Sequence, residues 1–192
     1  MKKSILIALL AILSQASTFA QTTWNVDKAH SKLNFTVVHL GISDVEGLFK
    51  NFDVTIKSSK PDFSDGIFEL SADISSINTE IEMRDNHLKS PDFFDASKFP
   101  KLTFKSTSIK PNGKNKYTLS GNLTMHGITK PVSLNLTYRG TILHPMTKAN
   151  VAGFQLTGTL SRKDFNLGSG FPAPMISDEV EIKADGEFAV AK

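Results

Sequence analysis

The segment from Arg84 to Pro100 gathers the side chains best suited to chemistry in this 192-residue chain. Arg84, Asp85, His87, Asp92 and Asp95 stand there among Phe93, Phe94 and Phe99. Arg84 offers a planar fork of N–H donors, suited to a carbonyl, phosphate or quinone oxygen. His87 follows close behind, and a helix would set the two on one face. The three phenylalanines could close an entrance. The structural alternative is that Arg84 pairs with a carboxylate while Asp92 or Asp95 caps a turn. Arg162 and Asp164 pose a similar choice. In a strand they share one face, and if buried they must satisfy each other. His39 prolongs an apolar strand face, where a histidine is more often a hydrogen-bonded core residue than a ligand.

Other reactive constellations are missing from the sequence. The histidines, at 30, 39, 87, 126 and 144, have no metal-type spacing. Gly168-Ser169-Gly170 is no nucleophile elbow, because Leu167 stands where that motif needs glycine. There is no phosphate loop and no dinucleotide fingerprint. The absence of cysteine removes thiolate nucleophiles, cysteine zinc sites and iron–sulfur clusters. Three Asn-x-Thr triplets, at 34, 122 and 135, read as strand-favouring threonine alternating with asparagine.

The elements that must position these groups are strands. Leu33, Phe35, Val37 and His39 alternate with Asn34, Thr36 and Val38. Phe52, Val54 and Ile56, and Phe68, Leu70, Ala72 and Ile74, alternate with polar partners. After the irregular piece the pattern resumes at Leu102 and Phe104, then from Tyr117 to Met125. It continues from Val132 to Tyr138, from Phe154 to Leu160 and from Val180 to Phe188. About eight strands at even spacing point to an all-β antiparallel barrel or sandwich. One short helical or irregular insert falls near residues 79–97, with Asn78 or Thr79 as its N-cap and Pro91 as its stop. Glycines inside strands, at 121, 153, 158 and 186, mark bends, bulges or barrel corners. Fourteen phenylalanines enrich the apolar face. They fit a solid core and a ligand-holding interior equally well.

Residues 1–20 read as a secretory signal: Lys2 and Lys3, an apolar core from Ile5 to Leu13, and Thr18-Phe19-Ala20 before Gln21. The apolar run is too short to span a bilayer. Residues 21–192 then form one exported domain, large enough for its own core without disulfides. The formal charge of +3 falls to about +1 once the two leader lysines are gone. No Lys/Arg run stands out, so the basic footprint of a nucleic-acid binder is missing.

Four segments, in order, resemble the YceI-like family of exported lipocalin-like barrels. They are Trp24 to Ser31 running through His39 to Val45-Glu46-Gly47-Leu48-Phe49; Ile74 to Phe104; Leu119 to Thr124 with Gly127 to Val132; and Leu160 to Leu167 with Ser177 to Val180. The resemblance implies a periplasmic antiparallel barrel whose apolar tunnel holds a long-chain lipid, such as a polyisoprenoid, a quinone or a fatty amide. It tips the interior towards hollow. Such a site needs apolar walls and a few polar groups at its mouth. The expected walls are Phe35, Val37, Phe49, Leu102, Phe104, Leu123, Met125, Phe154 and Leu156. The expected mouth comprises Arg84, His87, Phe94 and Phe99, with Arg162 and Asp164 as further polar contacts.

The leading expectation is a non-enzymatic carrier or store with a bound lipid and no other cofactor. The alternatives are a lipid-modifying enzyme built on Arg84, His87, Arg162 and Asp164, and an interaction protein for a membrane redox partner. A homodimer is the commonest assembly such a domain would adopt.

Overall fold

The computed structural model describes residues 20–191. The expected leader lies almost wholly outside them. Ten strands form one antiparallel sheet: β1 Thr22–His39, β2 Ser43–Phe49, β3 Phe52–Ser58, β4 Ile67–Asp73, β5 Ile77–Asn78, β6 Lys101–Pro111, β7 Lys116–Met125, β8 Ile128–Leu143, β9 Asn150–Ser161 and β10 Glu179–Val190. Among the described residues a single α-helix, α1, spans Glu82–Lys89. Pairing of β10 with β1 closes the sheet.

The barrel is eight-stranded because two pairs of short strands are interrupted long ones. β1 pairs with β3 near Trp24 and with β2 from Asn34 to His39, so β2 and β3 are one strand kinked at Lys50-Asn51. β4 and β5 are likewise one strand, broken by a 3-10 turn at Ile74–Ser76. Outside any alternation, β2 was legible only through its Val45–Phe49 motif.

Interior glycines accompany the bends, as the sequence predicts. The bulge in β1 between Asp27 and Lys32 lies across from Gly186. The bulge in β6 lies across from Gly121, and that in β8 across from Gly153. Gly158 does a different job. A Cβ there would come within 2.4 Å of the Leu134 side chain, so glycine lets that leucine cross the strand.

One end is a solid floor. The loop between β3 and β4 turns back under the barrel, and Phe63 accepts a φ of 59° to drive its ring inward. That ring is 1% exposed. Its centroid lies 4.9 Å from that of Phe154, 5.2 Å from Tyr138 and 5.3 Å from Trp24, in edge and tilted geometries that aromatic quadrupoles favour. The loop is held by polar ties. Tyr117 Oη donates to the Asp62 carbonyl at 2.6 Å, and the Asp65 carboxylate accepts from Ser58, Ser59 and the Lys60 backbone N–H.

Candidate functional site

Above this floor the barrel is hollow. A cavity of about 520 Å³ runs up from Phe68, Phe154 and Phe188, within the range of roughly 300–1,000 Å³ usual for small-molecule sites. Along β9 its wall passes through Phe154, Leu156 and Leu160, about 20 Å of strand at 3.3 Å per residue. Period-2 alternation on every strand sends the apolar face inward, which makes the wall continuous. Phe35, Val37, Phe49, Leu102, Phe104, Leu123, Met125, Phe154 and Leu156 all line it. The interior is therefore neither wholly solid nor an open tunnel: it is a blind pocket.

The roof has two parts. The first is α1 with the turns that follow it. Arg84, His87 and Leu88 project from one helical face to the cavity, and Phe93 and Phe94 join them. The N-cap differs from expectation. Helix α1 begins after Ile81, which gives no side-chain cap. Buried Asp85 instead reaches back and accepts from the Thr79 backbone N–H at 2.8 Å and its hydroxyl at 2.6 Å. Arg84 then donates through Nε to Thr79 Oγ1 at 2.8 Å and through Nη2 to the Thr79 carbonyl at 2.6 Å. So Arg84 pairs with a hydroxyl and a carbonyl rather than a carboxylate, and these bonds leave Nη1 unengaged.

The second part is the loop from Asn166 to Asp178. Phe171 stacks on Phe93 with centroids 5.1 Å apart, and His87 meets both rings edge-on at 5.0 and 5.3 Å. His87 Nε2 also lies 3.1 Å from Asp92 Oδ2. This three-ring panel joins the two parts of the roof. Gly168 makes it possible: its φ is +61°, and a Cβ there would come within 2.4 Å of the Phe93 ring.

Two expected contacts need correction. Arg162 and Asp164 lie in a 3-10 turn, Arg162–Phe165, where they point apart; Asp164 is exposed and does not line the cavity. Arg162 borders the cavity but spends its donors on the protein. Nε donates to the Ser177 carbonyl, Nη1 to those of Leu167 and Gly168, and Nη2 to those of Phe171 and Ile176. A guanidinium has only five N–H groups, so none remains for a head group. Its carboxylate partner is Asp178, at 3.2 Å. Phe99 is the other correction. It packs edge-on against His126 at 5.1 Å and over Gly127, outside the cavity. The polar set proposed for catalysis thus reduces to Arg84 and His87. His39 stands at the cavity rim with its residue exposed, so it is no core histidine.

Phe171 and its loop escaped the sequence reading. A Gly/Pro-rich stretch without strand pattern, longer than about 12 residues, is itself a functional signal. Its Gly-Ser-Gly triplet is informative only as no nucleophile elbow and does not point to the ring at Phe171.

A closed antiparallel barrel, floored at one end and roofed by a helix and a loop around an apolar blind pocket, defines a calyx-type binding protein. The YceI-like domain model matches residues 24–188. The chain belongs to the YceI-like family. A UPF0312 protein of Staphylococcus aureus is 37% identical over 177 residues, covering 89% of this chain and 99% of that one. Among solved structures, BcnA of Burkholderia cenocepacia superposes with a TM-score of 0.74 at 28% identity, covering 87% of this chain and 99% of that chain. The YCEI protein of Campylobacter jejuni gives 0.73 at 31%, over 80% and 89% of the two chains. A polyisoprenoid binding domain from Saccharophagus degradans shares the fold, with a TM-score of 0.68 at 16% identity over 88% and 99%. No helix among the described residues is long and apolar enough to cross a membrane.

Proposed function

We propose that this protein is an exported, periplasmic, non-enzymatic carrier or store for one long-chain apolar molecule, an isoprenoid quinone or a comparable lipid. The observation that carries the reading is the blind cavity of about 520 Å³, whose walls are mostly apolar, with Arg84 and His87 at its roof and Ser31, Lys32, Asn34, Glu69 and Asp185 as the polar breaks lower down. Each CH₂ moved from water into such a space contributes roughly 0.8 kcal/mol, part of which ordering of the tail takes back. The tail lies against Phe35, Leu123, Phe154 and Leu156. The head rests near Arg84, whose Nη1 offers two N–H donors, and the His87–Phe93–Phe171 panel with its flat aromatic edges. The polyisoprenoid-binding name carried by one structural neighbour supports the tail class. The test is detergent-free purification followed by native mass spectrometry and solvent extraction. A lipid-sized adduct is the expected result. Consistently empty protein that also takes up no prenyl quinone on titration would exclude the carrier reading.

A further inference from the structure

At the floor end, the chain carries a surface that cargo binding does not use. Between Asp95 and Asp164 the sequence has no acidic residue, yet it holds eleven Lys and Arg. Whole-chain charge conceals this, because every carboxylate lies in the flanking segments. Some of these cations are paired: Lys101 with Asp73, Lys105 with Glu69, Arg139 with Asp185. Lys110, Lys114, Lys116 and Lys148 are exposed and form no ion pair among the described residues. All four stand on the two hairpins, β6–β7 and β8–β9, at the floor end.

The β8–β9 hairpin projects beyond its neighbour. Register with β7 ends at Thr137, while β8 runs on to Leu143 paired only with β9. Ile142 and Leu143, on opposite faces of the strand, are 63% and 61% exposed, and Met146 at the tip is 85% exposed. Consecutive exposed apolar residues on both faces mean that the tip has no protein to pack against. Most carboxylates elsewhere at this end are engaged, Asp185 by Gln155, Asp65 by Ser58 and Ser59, and Asp27 by His30, which leaves Glu187 as the exposed carboxylate without a side-chain partner among the described residues.

We propose that this end docks on an anionic lipid bilayer, with Ile142, Leu143 and Met146 entering the interface and Lys110, Lys114, Lys116 and Lys148 meeting lipid phosphates. An apolar tip ringed by free lysines is the pattern of a peripheral membrane anchor. The opposite end cannot serve this way. Its exposed Ile42 and Met83 stand among Asp44, Glu46, Glu80, Glu82, Asp92 and Glu179, which outnumber the lysines at that end, Lys89, Lys98, Lys130 and Lys163, and leave it net acidic.

The experiment is co-sedimentation of the leaderless chain with vesicles of phosphatidylcholine and phosphatidylglycerol, against pure phosphatidylcholine. Binding only to the mixed vesicles, lost at high salt, is the expected result. Combined Lys114→Glu, Lys116→Glu and Lys148→Glu should weaken it at least about a hundredfold, and Ile142→Ser with Met146→Ser should weaken it with the charges intact. Retention of cargo by each variant shows that the barrel is folded and separates this outcome from failure of the carrier reading. Equal binding to both vesicle types, no binding to either, or capture by heparin alone would each overturn the proposal.

Discussion

Below Phe154 the barrel is filled by rings; above Leu160 it is roofed by backbone gathered around one guanidinium. At the floor, Phe63, Trp24, Tyr138 and Phe154 interlock, and polar groups serve only to hold the loop that delivers Phe63. At the roof, the apolar panel of His87, Phe93 and Phe171 is open to the cavity, and Arg162 ties the loop through five carbonyls. Dispersion and burial grow with filled volume, so the floor stabilises the fold. A hydrogen-bonded loop can open without emptying the core, so the roof is the end that can admit a ligand.

The largest expected effect comes from breaking the floor. Phe63→Ala removes a fully buried ring and should destabilise by about 3–5 kcal/mol, read by urea unfolding. A loss below about 1 kcal/mol would mean that the lower barrel is not the stabilising half. At the roof, Arg162→Lys keeps the charge but replaces five donors by three. Leaving carbonyls unpaired should cost about 1–3 kcal/mol and speed the release of cargo. Unchanged release would show that the loop does not gate the cavity.

The two ends were unequally legible in the sequence. Alternation, as at Phe35, Leu123 and Leu156, locates the inward face of the wall strands other than β2, because a period of two leaves no freedom once one face is buried. The filled floor was not legible. It depends on Phe63, a residue outside any strand, entering the barrel from a loop. Nor was the distinction between the arginines. Arg84 and Arg162 are equivalent in sequence, and their roles depend on backbone carbonyls that no side-chain pattern encodes. A strand would put Arg162 and Asp164 on one face, but the chain makes a 3-10 turn there and turns them apart.

A smaller effect sharpens the same comparison from inside the cavity. Leu156→Trp adds bulk to open space rather than to packed core. It should leave unfolding within about 1 kcal/mol of the parent, yet weaken a fluorescent prenyl probe at least about tenfold. If stability fell as steeply as for Phe63→Ala, the space above the floor would have to be filled in solution.

A pH dependence probes the same comparison from the floor side, through Asp65. Burial works to raise the Asp65 carboxyl, but hydrogen bonds from Ser58, Ser59 and the backbone outweigh it and lower it from 3.8 to about 2. A carboxyl whose folded value is depressed binds fewer protons than in the unfolded chain, so its contribution is complete above the unfolded value. It is then lost as pH falls through the folded one. The Asp65 contribution should therefore disappear between about pH 4 and pH 2. Asp65→Asn should lower stability at neutral pH and flatten the decline in that window, measured by urea titration at several pH values. Because the Asp65 bonds hold only the loop under the barrel, cargo affinity should not follow the same curve. If affinity fell with stability across the window, the floor and the binding cavity would be one cooperative unit, and the division of labour between the two ends would fail.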